Sequence, residues 1–297
     1  METNSVWLLA LSIAVGLLVP IAILVSGYNV FRRRISWKDE IVLVTGGSQG
    51  VGSELVEQIL LKCNPRHVVI VDVKNPSHAF PKDRVTFFQC DISEFSNVEK
   101  LARLVSTHIG QPTIVVNNAG TLAGKRFTDL EPAEIERVIK VNLFGAIWIT
   151  KVFLPDMLEK NHGHILNVCS ALSLSGSAGV SSYCASKFGL SGFSESLTQE
   201  LKNTQVNVHV SAIYPGLIST TLFSGVSYKY SLFPKLTANY VATVMLWILE
   251  NDASVEIVTP LIANGGRAMK LFPVLVQGWI KDMIGANSSM DSYNRQL

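Results

Sequence analysis

The stretch Ile-Val-Leu-Val-Thr-Gly-Gly-Ser-Gln-Gly-Val-Gly, residues 41–52, decides how this chain is read. Ile41 to Val44 is a short, apolar, mostly β-branched run of the kind that forms a buried parallel strand. Thr45, Gly46, Gly47, Ser48, Gln49, Gly50, Val51 and Gly52 then make a glycine-rich turn, and helical periodicity resumes from Glu54 to Leu61. Glycines at such a turn open backbone conformations closed to other residues and let a pyrophosphate approach the main chain. The helix behind them offers free N–H groups and the positive end of its dipole to phosphates. A tight strand-to-helix turn needs glycine in any case, so this stretch gains weight only from what surrounds it.

Composition narrows the possibilities. The 297 residues suit one α/β domain of about 250 residues with an appendage. A net charge of +2 with 16% charged residues leaves no nucleic-acid footprint. Cys63, Cys90, Cys169 and Cys184 form no C-x-x-C pair and no metal-ligand spacing, and read as reduced core thiols. No metal is expected.

Val6 to Ser26 carries no charged side chain, and as a helix it spans about 31 Å, close to one hydrocarbon core. Trp7 and Tyr28 sit at its two ends, where amphipathic rings favour the interface. Glu2 precedes the run and Arg32, Arg33 and Arg34 follow it, so the positive-inside bias puts the downstream domain in the cytoplasm. A retained single-pass anchor is the expectation. A hairpin around Pro20 and a signal peptide are the alternatives.

Further along, His67 to Val71 reads as a second strand ending at Asp72. Asp72 lies about 20 residues beyond Gly52, where a carboxylate can accept hydrogen bonds from an adenosine ribose and repel a 2′-phosphate. NAD is therefore favoured, with NADP possible because Lys74 is near. Residues 73–83, with two prolines, are too short for a comfortable crossover helix before the strand at 84–89. A helix over 98–109 and a strand over 113–116 follow. Residues 131–159 read as one long helical region interrupted at Asn142 and Gly145. Gly163 to Val168 is a strand that delivers Ser170 at its C-terminal end, the side where open α/β sheets bind ligands. Tyr183 and Lys187, at i and i+4, share one face of the next helix. A nearby ammonium and an oxidised nicotinamide favour a phenolate, so the expectation is a Tyr183 pKa lowered enough for general-base work. Strands at 206–214 and 255–259 and a helix at 237–249 complete the pattern.

Four motifs together resemble the short-chain dehydrogenase/reductase family over residues 41–220. They are T-G-x-x-x-G-x-G from Thr45, N-N-A-G at Asn117-Asn118-Ala119-Gly120, the strand-end Ser170, and Y-x-x-x-K at Tyr183–Lys187. The resemblance implies a Rossmann-type, doubly wound, seven-stranded parallel sheet and an NAD(P)-dependent enzyme acting on CH–OH donors. It implies a catalytic set of Asn142, Ser170, Tyr183 and Lys187, with Asn142 in a proton relay. It also implies cofactor contacts from Thr45, Gly46, Ser48, Gln49, Gly50, Val51, Gly52 and Asp72. Asp91, Ile92, Asn118, Ala119 and Gly120 would add to these, as would Tyr183, Lys187, Pro215, Gly216, Ile218 and Thr220.

The chain then divides into an anchor (1–28), a basic linker (29–40), the dehydrogenase domain (41–266) with a lid at 222–236, and a C-terminal helix and tail (267–297). The tail from Ile284 to Tyr293, with the anchor, is similar to the membrane-associated retinol and 17-beta-hydroxysteroid dehydrogenase group. This implies a retinoid, steroid or long-chain alcohol substrate, a location at the endoplasmic reticulum or a lipid droplet, and a possible homodimer through helices at 131–159 and 183–203. The alternatives are a 3-ketosphinganine-type NADPH reductase, against which Asp72 argues, and a silent scaffold, against which the intact Ser170, Tyr183 and Lys187 argue. Phe272, Leu275, Val276, Trp279, Ile280 and Met283 fall on one helical stripe, either packed on the domain as a pocket wall or facing a membrane.

Overall fold

Seven short runs rich in Val and Ile become seven parallel strands in a single sheet. They are β1 (Ile41–Thr45), β2 (His67–Asp72), β3 (Val85–Gln89), β4 (Ile114–Asn117), β5 (Gly163–Val168), β6 (Val208–Pro215) and β7 (Glu256–Thr259), ordered β3-β2-β1-β4-β5-β6-β7. The computed structural model describes residues 35–223, 226, 234–251, 253–287 and 293. The expected anchor, the first part of the linker, most of the lid and tail residues 288–292 lie outside the described residues.

Helices cover both faces of the sheet. One face packs α1 (Gly50–Lys62) and α6 (Ala238–Glu250), with Leu55, Ile59, Val241 and Met245 buried against Val42, Val44 and Ile70. The other packs α2 (Phe95–His108), α4 (Gly145–Glu159) and α5 (Ser181–Thr204), with Val98, Ile149, Phe153 and Leu197 against Leu43, Val69 and Val115. The alternation of Val42/Val44 with Ile41/Leu43 between the two cores is the period of two that a strand imposes. β1 pairs with β2 on one side and β4 on the other, and the strand order reverses there. A crevice forms beyond the strand C-termini at such a reversal. No helix joins β2 to β3.

The long helical region from 131 divides as its sequence suggests, with α3 (Pro132–Ile139) ahead of α4 and a π-turn at Lys140–Phe144 between them. The Gly145 N–H donates to the Lys140 carbonyl, so the turn is one residue wider than a regular one. Among the described residues Pro132–Glu159 is the one stretch long and apolar enough to cross a membrane, but Ile149, Phe153 and Met157 spend its apolar face on the sheet.

Buried polar groups link the strands beneath the site. Asn117 Nδ2 donates to Asn167 Oδ1 (2.8 Å) and Thr150 Oγ1 (3.1 Å), and Asn167 Nδ2 donates to Ser194 Oγ (2.8 Å). His164 on β5 shares a 2.8 Å hydrogen bond with Ser211 and is fully enclosed. Burial, reinforced by His209, pulls its pKa down to about 3. The unfolded ring takes up a proton near pH 6.5 and the folded ring does not, so stability falls as pH drops from about 6.5 towards 3. Replacing His164 with Gln is expected to flatten that part of the urea-midpoint-against-pH curve. Parallel curves for the two proteins would show that His164 contributes nothing to it.

Candidate active site

The glycine turn is held by the strand next to it. Thr45 Oγ1 donates to the Val116 carbonyl (3.2 Å) and accepts from the N–H groups of Asn118 (3.0 Å) and Ala119 (3.1 Å). Asn118 Nδ2 donates in turn to the carbonyls of Thr45 and Gly46, both at 3.0 Å. Gly46 and Gly50 adopt φ of 64° and 58°, the left-handed region that favours glycine. A Cβ on Gly52 would stand 2.3 Å from the Gly46 carbonyl oxygen, so the first turn of α1 sits directly against the loop.

From this turn a cleft of about 440 Å³ runs across the strand ends. Gly46, Gln49, Gly50, Val51, Asp72, Asp91 and Ile92 line one end, and Asn118, Ala119 and Gly120 its middle. Ser170, Tyr183 and Lys187 close the far end, where Pro215, Gly216, Ile218 and Thr220 form the opposite wall. Thr45, Ser48, Gly52 and Asn142 are not part of the lining and stand behind it. Their side chains or packing hold the residues in front. Ser48 N–H donates to Asp72 Oδ2 and its hydroxyl to the Lys74 carbonyl, while Asp72 Oδ1 accepts from the Lys74 N–H. The Asp72 carboxylate is therefore fixed at the cleft edge before any ligand meets it.

Asn142 sits in the π-turn and is buried. Its Oδ1 accepts from the Thr121 N–H (2.7 Å), and its Nδ2 donates to the Thr121 carbonyl (2.9 Å) and to Ser186 Oγ (3.0 Å). One side chain thus ties the loop after β4 to the helix that carries Tyr183 and Lys187.

Ser170 follows β5, its Oγ accepting from the Leu172 N–H at 3.1 Å and lying on the same side of the cleft as Tyr183. Tyr183 lies in the first turn of α5, edge-on to Phe223 with ring centroids 6.1 Å apart. Here the structure departs from the expectation of a lowered phenol pKa. Burial pushes Tyr183 well above its ordinary range, and the nearby Ser170 hydroxyl offsets this only in part. Lys187 Nζ is 5.9 Å from the tyrosine ring centroid, and it donates to the Val168 carbonyl at 2.7 Å. Burial pulls Lys187 itself down to about 8. Desolvation of an enclosed phenol outweighs a cation at that distance, so the protein's own groups hold Tyr183 as a proton donor.

Several lining residues escape a sequence reading. Arg137 and Val141, four apart, reach the cleft from α3 and the π-turn, and Cys169 flanks Ser170. Their only local signal is the i, i+4 spacing, which any helix offers. Burial raises the Cys169 thiol to about 12, which makes it an inert wall rather than a nucleophile. All four cysteines are free. Among the described residues no His, Cys, Asp and Glu gather into a cluster that could hold a metal.

A doubly wound sheet with a glycine cradle at its strand reversal and a Ser–Tyr–Lys group across the cleft defines a dinucleotide-dependent oxidoreductase. Residues 40–230 match the family model described as short chain dehydrogenase. The chain belongs to that family, whose members are NAD(P)-dependent oxidoreductases of CH–OH groups.

Among curated relatives it is similar to retinol dehydrogenase 10 of Homo sapiens, 40% identical over 154 residues that cover 52% of this chain and 45% of that one. Short-chain dehydrogenase/reductase family 16C member 6 of Bos taurus is 36% identical over 217 residues, 70% of this chain and 68% of the relative. The match spans about half the length of the retinol dehydrogenase 10 proteins. In solved structures the fold recurs in a 4-hydroxyisoleucine dehydrogenase complexed with NADH (TM-score 0.64, 21% identity, 74% of this chain and 97% of that one). It also recurs in a short-chain dehydrogenase from Leptospira borgpetersenii with bound NAD+ (TM-score 0.63, 22% identity, 74% and 92%).

Proposed function

We propose that this protein transfers a hydride between NAD and a primary or secondary alcohol, or the matching carbonyl, of an apolar substrate such as a retinoid, steroid or long-chain alcohol. The observation that carries the reading is the convergence of Ser170, Tyr183 and Lys187 at one end of a cleft whose other end is a glycine cradle beside Asp72. The cradle fits a dinucleotide: side chains are missing where phosphates need the main chain, and the N-terminus of α1 faces the cleft. Gly46, Gln49, Gly50 and Val51 would hold the pyrophosphate and Asp72 the adenosine ribose. Asp91 and Ile92 would border the adenine, and Asn118, Ala119 and Gly120 the middle of the cofactor. Pro215, Gly216, Ile218 and Thr220, with Lys187, would hold the nicotinamide half. When bound, the nicotinamide supplies or accepts the hydride.

The chain's own residues manage the proton. Ser170 Oγ and Tyr183 Oη together form a cradle for the substrate oxygen. Tyr183 Oη gives that oxygen its proton in carbonyl reduction and receives it in alcohol oxidation. Lys187, enclosed and positively charged, favours the anionic phenol in the second case. Asn142 supports this group by fixing the loop and helix on either side of it, and its π-turn is a suitable start for a proton path. The apolar substrate is supported by the similarity to retinol dehydrogenase 10. An N-terminal anchor at 1–28, a cytoplasmic catalytic domain at the endoplasmic reticulum or a lipid droplet, and a homodimer through the helices at 131–159 and 183–203 belong to the same reading. Purified protein screened against retinoids, steroids and fatty alcohols with both cofactors tests it. Absence of cofactor-dependent turnover on all three classes would refute it.

Cofactor choice is expected to rest on Asp72. Asp72→Ala removes a ribose acceptor and a charge that repels a 2′-phosphate, so kcat/KM should fall with NAD and rise with NADP. The measurement is the ratio of the two before and after. An unchanged ratio would mean that the carboxylate held by Ser48 and Lys74 serves the loop and not the cofactor.

A further inference from the structure

More than half of the large apolar side chains exposed among the described residues fall in one segment, residues 261–283, which follows β7. Leu261 and Ile262 begin it, and the short helix α7 (Gly265–Met269) leads to α8 (Val274–Met283). Leu271, Val274 and Leu275 are each at least 80% exposed and Trp279 is 67% exposed. The stripe anticipated over 272–283 is therefore split. Ile280, with Ile284 beyond the helix end, faces the body of the protein, while Leu275, Trp279 and Met283 face away from it.

Beneath α8 lies a second cavity of about 260 Å³, walled by Ile280, Ile284, Met269, Ile262, Leu172 and Leu217. Gly216 lines both this cavity and the cofactor cleft, and Leu172 is two residues from Ser170. The cavity thus lies between the foot of the apolar face and the Gly216 wall that it shares with the cofactor cleft. Its far wall is tied down where Ser177 Oγ donates to the Ala286 carbonyl at 2.7 Å.

We infer that the outer face of α7–α8 docks on an anionic lipid surface and that the cavity behind it passes the hydrocarbon part of the substrate from lipid to Ser170 and Tyr183. Side-chain chemistry selects lipid over a second protein surface. Within residues 261–287 Asp282 is the single acid; of the three basic side chains Arg267 is paired with Glu256 at 2.6 Å and Lys281 lines the inner cavity, which leaves Lys270 as the cation at the border of the outer face. Lys270 lays its ammonium over the Phe188 ring, 4.3 Å from the centroid, as a long cationic side chain does at the border of an apolar surface. The run Leu271–Val276 carries no polar side chain with which a protein partner could be oriented. Trp279 supplies the amphipathic ring suited to a headgroup boundary. The docking half is independent of the catalytic reading. The delivery half rests on the apolar-substrate proposal.

The test uses the full chain reconstituted in phosphatidylcholine vesicles with and without phosphatidylserine, in a Cys63→Ser, Cys90→Ser background. A spin label at Leu275→Cys is expected to become open to oxygen and shielded from a water-soluble nickel chelate, more so with phosphatidylserine. A label at the exposed α2 position, Leu104→Cys, should stay open to the chelate. A Leu275 label that remains open to the chelate overturns the docking, as does dipolar broadening that appears without lipid and marks a second copy.

The delivery half is read from the pair Leu275→Glu and Trp279→Glu. With it, KM for a vesicle-borne long-chain alcohol should rise about tenfold, the factor for some 1.4 kcal/mol of lost partition, while KM for a short water-soluble alcohol stays the same. Equal effects on both alcohols refute delivery. A lipid-embedded label in a protein that turns over no alcohol supports docking and rejects the substrate proposal.

Discussion

Tyr183→Phe is expected to lower kcat by roughly 10²–10⁴-fold while leaving cofactor affinity nearly unchanged. The ring is enclosed and edge-on to Phe223, and a phenylalanine keeps both features. What disappears is the Oη atom, and with it the proton that the reaction needs. Ser170 keeps the Leu172 N–H as a partner, so the loss of stability should stay near 1 kcal/mol. Cofactor titration, thermal unfolding and initial rates on one preparation separate these effects. A variant that keeps more than about a tenth of the wild-type rate would remove Tyr183 from the proton transfer.

The second large effect is expected at Gly52. An alanine there would place its Cβ 2.3 Å from the Gly46 carbonyl oxygen and 2.6 Å from Asn118 Nδ2. The first is main chain and the second is clamped to two carbonyls, so neither can yield without moving the turn. The strain should cost about 3 kcal/mol, the upper end for overpacking a close-fitted site. Because the displaced atoms belong to the cradle, cofactor affinity should fall with stability. Gly192→Ala in α5 is the matched control: nothing lies within 4 Å of its added methyl, and a helix gains about 0.5–1 kcal/mol from such a change. A Gly52→Ala protein as stable as wild type, with normal cofactor affinity, would show that the turn is not held as rigidly as these contacts imply.

Most of the sheet was legible because buried parallel strands have little freedom in composition. Val-rich runs such as 68–71 and 114–116 admit no other placement once alternating helices cover both faces. The shared face of Tyr183 and Lys187 follows from the helical repeat alone. Titration behaviour was not legible. It depends on how completely Phe223, Ser170 and their neighbours enclose the phenol, which sequence spacing does not encode. Nor was the donation from Lys187 to the Val168 carbonyl, which depends on where β5 ends beneath the helix. Asn142 announced itself as a helix-breaking amide, but its three hydrogen bonds reach two residues, Thr121 and Ser186, on two other segments. The stripe near the C-terminus was visible as a period, and which side of it meets the protein was decided by packing around 171–177 and 260–269.

The wide turn at Lys140–Phe144 also acts as a phase shifter. Upstream of it, Val138 joins the cluster that encloses Tyr183; downstream, Ile149, Phe153 and Met157 fill the core behind the sheet. Removing one residue would leave two good helical halves joined by regular turns, yet rotate one half against the other by about 100°. The chain could then seat the tyrosine's neighbours or its own sheet-facing row, and not both. The extra residue lets one continuous rod serve two surfaces that a regular helix would present out of step.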